Sequence, residues 1–229
     1  MNQIFANSTL GFVLTLIAYG IGVYLKKKLN YPIFNPILIA VVVIIGFLSV
    51  FNVEYENYNN SAQYISFFLT PATVSLAIPL YRQISLLKKN FKAIIISILS
   101  GVLSSLISVW GFSKLFGFTH IEYVTLLPKS VTTAIGMGIS EELGGIISIT
   151  VATIIITGII GNMFANILFK IFHIVEPISK GLSLGTASHA IGTSKAMELG
   201  EIEGAMSSLS IVVAGLLTVI IAPIFSNFL

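Results

Sequence analysis

Charged side chains are absent from six long stretches of this chain, and this absence limits what the chain can fold into. Each stretch is at least 21 residues long: 1–25, 29–53, 57–81, 93–113, 143–169 and 204–229. An α-helix that crosses a membrane needs about 20 apolar residues. Only 9% of the residues are charged, against roughly 25% in soluble domains. The stretches predict helices near 8–25, 33–51, 62–80, 93–112, 146–169 and 205–227.

Two further segments, 120–142 and 181–200, are too polar to face lipid and too apolar for a solvated loop. Together with the six stretches they predict an all-α polytopic membrane protein of about six to eight membrane segments, some of them broken or re-entrant. We expect the first stretch not to be a cleavable signal, because no basic residue precedes it and Lys26–Lys28 follow it.

The residue types exclude several classes of protein. The chain has no cysteine, so disulfides and thiolate metal sites are impossible. It has no aspartate either, and no nucleophile and acid–base pair converge in the sequence, so we expect neither an enzyme nor a metal site. The net charge of +3 does not indicate nucleic-acid binding, because the basic residues cluster between apolar stretches.

Lysine and arginine collect in cytoplasmic loops, and their positions orient the predicted helices. Lys26–Lys28 place the first loop inside and the N-terminus outside, and Arg82 places the end of the third helix inside. Segment 120–142 can cross once, or it can dip into the membrane and return. The second alternative puts Lys170 and Lys180 inside, so that nine of the twelve basic residues are cytoplasmic. We prefer it for that reason.

The order of the segments suggests an inverted repeat with discontinuous helices, as transporters use. Helices two to four run out, in and out, whereas 146–169, 181–200 and 205–227 would run in, out and in. The middle member of each trio is polar and broken, and aligning Thr70 with Thr186 gives an offset of 116 residues.

The sequence therefore predicts a single membrane domain over residues 1–229, with repeat halves at about 30–116 and 143–229. Six full crossings with two re-entrant hairpins are the alternative topology.

Three polar motifs interrupt the apolar pattern, and each supplies candidate ligands for a solute. In the first, Pro71 removes a backbone donor and obstructs the preceding helical turn. Thr70, Thr73 and Ser75 can satisfy the freed backbone groups or contact a solute. A simple proline kink is the alternative interpretation.

The second motif contains a lysine between apolar residues, which is costly in a membrane and indicates a functional site. Pro128 begins a helix there, and Lys129, Ser130, Thr132 and Thr133 lie near its positive N-terminal dipole. An ammonium and several hydroxyls at such a position suit an anion. Alternatively, the lysine extends to the membrane surface.

The third motif reads GTASHAIGTSKA and begins at Gly185. Its glycines allow close backbone approach or unwinding, and its histidine can carry a proton near neutral pH. A histidine that only packs is the alternative. The candidate ligands in this motif are Gly185, Thr186, Ser188, His189, Gly192 and Thr193.

Two stripes of small residues are interpreted as helix-packing faces. One stripe consists of Ser97, Ser100, Gly101, Ser104 and Ser108, and the other of Gly204, Ser208, Gly215 and Ala222. Asn162 and Asn166 are interpreted as interhelical hydrogen-bonding residues.

The sequence resembles the LrgB/CidB family of bacterial membrane proteins. Three long motifs occur in the family's order and cover nearly the whole chain: TPATVSLAIPLYRQ (70–83), LPKSVTTAIGMGISEELGG (127–145) and LGTASHAIGTSKAMELGEIEGAMSSLS (184–210). Where the family usually has a second proline after the paired threonines, this chain has Ala134.

The resemblance implies two kinds of function in the bacterial cell membrane. The family was named antiholin-like, for modulation of murein hydrolase activity and autolysis, and it usually works beside a smaller LrgA/CidA-type membrane protein. Its plant relative exchanges glycolate and glycerate across the chloroplast envelope, and bacterial members are linked to pyruvate uptake.

We expect a secondary transporter of small monocarboxylates such as pyruvate, glycolate or lactate. A pure modulator needs packing faces, but it does not need three polar broken segments within the membrane. The alternative is an antiholin-like modulator that acts with an LrgA/CidA-type partner. We expect a homo-oligomer and no cofactor, with H⁺ or Na⁺ as a possible coupling ion.

Overall fold

The computed structural model describes residues 9–29, 31, 34–68, 71, 74–75 and 77–229. Every regular element within these residues is helical. Four of the helices are long and apolar enough to cross a membrane, which confirms the predicted all-α polytopic membrane protein. The chain forms two compact units, Met1–Ser75 and Leu76–Leu229, within which the contacts between Cα atoms are concentrated.

The first unit begins with a membrane-length helix, α1, at Leu10–Leu29. The next helix, α2, covers Pro36–Val50. Asn35 caps its first turn through its side-chain oxygen, and proline suits the first helical position because an amide there has no intrahelical partner. At 15 residues α2 extends about 22 Å, less than the ~30 Å hydrocarbon core of a bilayer. Helix α3 at Tyr55–Ala62 and a 3-10 helix at Gln63–Phe68 follow.

The helix predicted near 62–80, whose middle the sequence marks as polar and broken, is divided into separate elements in the described part of that stretch. The 3-10 helix ends at Phe68, and a separate helix, α4, covers Ala77–Arg82. Pro79 lies in the first turn of α4, where its missing amide breaks no intrahelical hydrogen bond. A proline farther inside a longer helix would remove such a bond.

The second unit contains three membrane-length helices. They are α6 at Phe91–Phe116, α9 at Ile147–Ile171 and α11 at Glu201–Ser226. The short helix α5, at Ile84–Lys89, precedes them. The segments between the three long helices are α7 at His120–Leu126, α8 at Thr133–Glu142 and α10 at Pro177–Leu199.

Helices α6 and α11 run in the same direction. Near the end of α6, Trp110 Nε1 donates to the carbonyl oxygen of Phe228, 3.3 Å away and just beyond α11. Shortly before α6, Arg82 forms an ion pair of 3.7 Å with Glu201, the first residue of α11. The two ends of the unit are therefore called the Arg82 side and the Trp110 side.

The segment between α6 and α9 enters the unit and returns to the same side. It starts at His120, whose Nδ1 lies 2.6 Å from the carbonyl oxygen of the chain's last residue. On the way back, Gly136 packs against Ile154, and Ser140 Oγ forms a hydrogen bond of 2.8 Å with Thr150 Oγ1, so α8 is antiparallel to α9. With 7 and 10 residues, α7 and α8 extend only about 10 and 15 Å. We call α7, α8 and the turn between them hairpin A.

Hydroxyl groups fasten hairpin A to the start of α9. Thr125 Oγ1 accepts from the amide of Ile146 at 2.8 Å, and Thr150 Oγ1 donates to the carbonyl oxygen of Thr125 at 2.8 Å. At the start of the hairpin, Thr119 and Glu122 form a capping box that begins α7. Hairpin A is thus fixed at its entry and along its side.

Helix α10 is also a hairpin. At His189 the backbone adopts φ 42° and ψ −135°, which is not helical. Gly192 packs against the carbonyl oxygen of Leu184, although eight residues of continuous helix would separate them by about 12 Å. The chain therefore folds back at His189, and we call α10 hairpin B.

Both arms of hairpin B pack against α11. Before the turn, Gly181 contacts Glu203 and Gly185 contacts Ser207, so the first arm runs parallel to α11. After the turn, Thr193 Oγ1 lies 2.7 Å from Ser207 Oγ, so the second arm passes the same residue in the opposite direction. Glycine at 185 makes this approach possible, because a Cβ there would meet the backbone oxygen of Ser207.

The prediction that 181–200 crosses the membrane, and that 205–227 runs inward, is therefore wrong. Hairpin B enters from the Arg82 side and returns to it, so α11 runs toward the Trp110 side. In the second unit the alternative topology with two re-entrant hairpins is correct, and Lys170 and Lys180 lie on the Arg82 side. The repeat halves at 30–116 and 143–229 stay a prediction.

We expect single cysteines at Arg82 and Lys180 to react with a membrane-impermeant maleimide from one side of the membrane, and a cysteine at His120 from the other. The chain has no cysteine of its own, so these probes have no background. The lysine pattern places the Lys180 side in the cytoplasm. Labelling of intact cells and inverted vesicles measures this. Reaction of Lys180→Cys and His120→Cys from the same side would contradict the hairpin topology.

Candidate functional site

A cleft of about 690 Å³ lies between α6, α9 and the first arm of hairpin B. It extends from Ser97 and Ser179, toward the Arg82 side, to the tip of hairpin A, whose Leu127 and Pro128 are buried. We call it the hydroxyl cleft, because most of its described lining residues are serine or threonine. These are Ser97, Ser100, Ser104, Ser105, Ser108, Ser130, Thr157, Ser179, Ser183, Thr186 and Ser188.

Lys129 brings a positive charge to the end of the hydroxyl cleft that meets hairpin A. Its Nζ donates to Ser130 Oγ at 3.1 Å, and that oxygen lies 3.1 Å from Ser105 Oγ, near the middle of α6. No carboxylate of a described residue forms an ion pair with Lys129; the ion pairs found involve Arg82 and Lys195. An ammonium at membrane depth without a carboxylate partner favours an anionic ligand.

Hairpin B contributes two hydroxyls to the same cleft. Thr186 is 7% exposed, and its Oγ1 is buried without a hydrogen-bond partner among the described residues. Ser188 packs against Gly161 of α9, and Thr186 against Gly101 of α6. Because these glycines carry no side chain, hairpin B can come close to both long helices.

His189 lies at the turn of hairpin B but not on the lining of the cleft. It is 3% exposed, and its Nε2 donates to the carbonyl oxygen of Ile154 at 2.9 Å. Gly158 leaves room for the ring, since a Cβ there would lie 2.7 Å from Cε1. The geometry makes this histidine an anchor between hairpin B and α9, and its role toward a substrate or proton stays a prediction.

Several other predicted ligands shape the hairpins and do not line the cleft. Gly185 and Gly192 permit the close contacts of hairpin B, and Thr193 is buried with hydrogen bonds to Ser207 and His189. Thr132 precedes α8 as its N-cap position, and Thr133 begins that helix. Of the residues predicted from the sequence, the cleft brings together Lys129, Ser130, Thr186 and Ser188.

The first polar motif belongs to the other unit. Ser75 Oγ donates to the carbonyl oxygen of Pro71 at 2.7 Å, which is a local bond four residues back in the chain. Thr70 and Thr73 lie outside the described residues. A part for these four residues in substrate binding stays a prediction.

The small-residue stripe of α6, interpreted as a packing face, packs at Gly101 against Thr186, but its serines have a different place. Its serines line the hydroxyl cleft, whereas α6 packs into the core through Ile94, Ile98, Val102 and Leu106. A hydroxyl at every third or fourth position was the available signal, because such spacing puts the groups on one helical face. Glycine or alanine would have served close packing equally well. Thr157, Ser179 and Ser183 were also missed.

Two other structural interpretations are confirmed. On α11, Gly204 packs against Met197, and Gly215 packs against Ile135, as a small-residue face predicts. Asn162 Nδ2 donates to the carbonyl oxygen of Ile191 at 2.9 Å and so joins α9 to hairpin B. For Asn166 the interhelical role stays a prediction.

Comparisons with known proteins agree with the membrane architecture. The model of the LrgB-like family matches residues 15–228. The antiholin-like protein LrgB of Bacillus mycoides is 41% identical over 220 residues, which cover 96% of each chain. The antiholin-like LrgB proteins of Bacillus cereus and Bacillus anthracis are 42% identical over the same length and coverage. No solved structure matches the chain. The chain is thus a multi-pass bacterial membrane protein, and it belongs to the LrgB-like family.

Proposed function

We propose that the hydroxyl cleft binds a small monocarboxylate and that the protein is a secondary transporter of such acids. The observation that carries this proposal is the ammonium of Lys129, which ends a hydroxyl-lined cleft and has no carboxylate partner among the described residues. One cation matches one carboxylate. Hydroxyls can bind the oxo or hydroxyl group of pyruvate, glycolate or lactate.

The two opposed hairpins support transport over static binding. Transporters commonly build their sites from discontinuous helices that meet near the middle of the bilayer. Here the tip of hairpin A and the first arm of hairpin B line one cleft, level with Ser105 in the middle of α6. The cleft extends toward the Arg82 side, and hairpin A covers the other side. A rearrangement that closes the Arg82 side and opens the opposite side would carry the acid across, with H⁺ or Na⁺ as the coupling ion.

A second candidate function is antiholin-like modulation of murein hydrolase activity together with an LrgA/CidA-type partner. The names of the Bacillus relatives favour it directly, whereas transport is supported by the geometry of the cleft. In this case the protein would act through its surfaces and its oligomeric state. The hydroxyl cleft would then have no need to bind a carboxylate.

Uptake of labelled pyruvate and glycolate into liposomes that contain only the purified protein tests the proposal. We expect saturable uptake by the wild type and at least a roughly tenfold loss in Ser104→Leu, because the larger apolar side chain enters the cleft and removes a hydroxyl. The matched control is Ile107→Leu, because Ile107 is an exposed residue of α6 that does not line the cleft. It should transport like the wild type.

Two results would count against transport through this cleft. One is absence of uptake by correctly folded wild-type protein, combined with a change in autolysis when an LrgA-type partner is co-expressed; it would support the modulator. The other is full transport by Ser104→Leu, which would place the pathway elsewhere in the protein.

A further inference from the structure

A second, smaller cavity adjoins the hydroxyl cleft, because Ser105, Ser130 and Thr186 line both. Its volume is about 10 Å³, at the lower end of the roughly 10–15 Å³ that a cavity needs to hold one water molecule. Both hairpins, α6 and α11 contribute to its wall, so it lies where four elements of the second unit meet. Its lining consists of Val102, Ser105, Leu106, Leu127, Ser130, Val131, Thr186 and Thr218.

The hydroxyl groups around this cavity offer both a hydrogen-bond donor and hydrogen-bond acceptors. Thr218 Oγ1 already donates to the carbonyl oxygen of Ala214 at 2.7 Å, so it can only accept from a molecule in the cavity. Thr186 Oγ1 is buried and has no partner among the described residues, so it is able to donate. Ser130 accepts from Lys129 and shares one hydrogen with Ser105 at 3.1 Å, which leaves an acceptor position on this pair.

We propose that this cavity binds a single water molecule that joins the tips of hairpins A and B to α6 and α11. The water accepts from Thr186 and donates to Thr218 and to the pair of Ser105 and Ser130. That gives it three hydrogen bonds, the usual number for a buried water. It also gives the buried hydroxyl of Thr186 a partner, which buried polar groups nearly always have.

A sodium ion fits this cavity less well than water. The ammonium of Lys129 lies 3.1 Å from Ser130 Oγ, which is part of the cavity wall, and like charges repel at short range. The described residues that line the cavity include no carboxylate. Sodium would also need acceptors from all sides, whereas the hydrogen of Thr186 is free to donate to water.

The water makes Thr218 a positioning residue for the anion site, and this step rests on the proposed function. Thr218 does not line the hydroxyl cleft, but Ser105, Ser130 and Thr186 line both the cleft and the cavity. A water bound to Thr218 therefore fixes the orientation of hydroxyls that face the substrate.

The first test is a structure of the wild-type protein, without substrate, at a resolution that shows ordered water. We expect one density peak in the cavity with three oxygen partners at roughly 2.7–3.0 Å. Thermal stability should be equal in sodium chloride and choline chloride. A cavity without density would overturn the inference. So would stability that depends on sodium, because it would assign the cavity to a cation.

The second test measures binding of labelled pyruvate to Thr218→Val and Thr218→Ser. We expect Thr218→Val to bind roughly 2- to 12-fold more weakly, the effect of one hydrogen bond, and Thr218→Ser to bind like the wild type. Thr153→Val is the matched control, because the Thr153 hydroxyl also donates to its own helix, at 2.9 Å from the oxygen of Thr150, and lines neither space.

Equal binding by Thr218→Val and the wild type would overturn the positioning role. The proposal of a bound water and the proposal of transport can be refuted independently of each other. Density in the cavity of a protein that binds no carboxylate would support the water and contradict the proposed function. Carboxylate binding by a protein without that density would support the proposed function and contradict the water.

Discussion

In a Gly192→Val variant, the second unit is expected not to fold stably. A Cβ at this position would meet the carbonyl oxygen of Leu184 and lie 2.6 Å from Ser188 Cβ, so the second arm of hairpin B could not return along the first. Overpacking of a well-packed site typically costs about 1–3 kcal/mol, and contact with backbone oxygen puts this case at the upper end. Thermal unfolding and gel filtration of the purified variant measure the effect.

Gly111→Val is the matched control for this prediction. Gly111 is also helical, but nothing lies within 4 Å of the position that its Cβ would take. A surface substitution of this kind usually changes stability by less than about 0.5 kcal/mol. If Gly192→Val unfolded at the same temperature as Gly111→Val, α10 would have to be a continuous helix, contrary to the fold described above.

Lys129→Ala is expected to weaken binding of monocarboxylates by roughly 10- to 150-fold. The physical reason is the loss of a charge-assisted hydrogen bond, typically worth about 1.5–3 kcal/mol, at about 1.4 kcal/mol per tenfold change. Lys114→Ala should bind normally, because Lys114 is exposed and lies over the Trp110 ring at 4.6 Å. Binding of labelled pyruvate to the purified variants measures the difference.

Stability separates a binding role of Lys129 from a structural one. Placing a lysine at the centre of a membrane helix costs about 2.5–3.5 kcal/mol on insertion scales. A Lys129→Met variant, which keeps much of the side-chain volume, should therefore be at least as stable as the wild type while binding the anion poorly. Wild-type affinity in Lys129→Met would show that the ammonium contributes nothing to the site.

Local patterns were sufficient to predict the long helices and the unusual lysine. The stretches without charge predicted α1, α6, α9 and α11 to within a few residues, because the bilayer sets both the length and the polarity of a spanning helix. Lys129 was recognisable as a candidate ligand for the same reason: a charge at this depth needs an explanation in terms of a partner or a ligand. Both inferences depend on the bilayer that surrounds the chain and not on the tertiary contacts between residues.

What only the tertiary structure decided is where the chain turns and which residues come together. The turn at His189 depends on Gly158 admitting the ring and on Gly185 and Gly192 admitting backbone, and these contacts join residues far apart in sequence or on opposite arms. The same holds for the serines of α6. Hydroxyls spaced along one helical face suit either packing or a polar lining, and only the position of hairpin B beside Gly101 turned that face into the wall of a cleft.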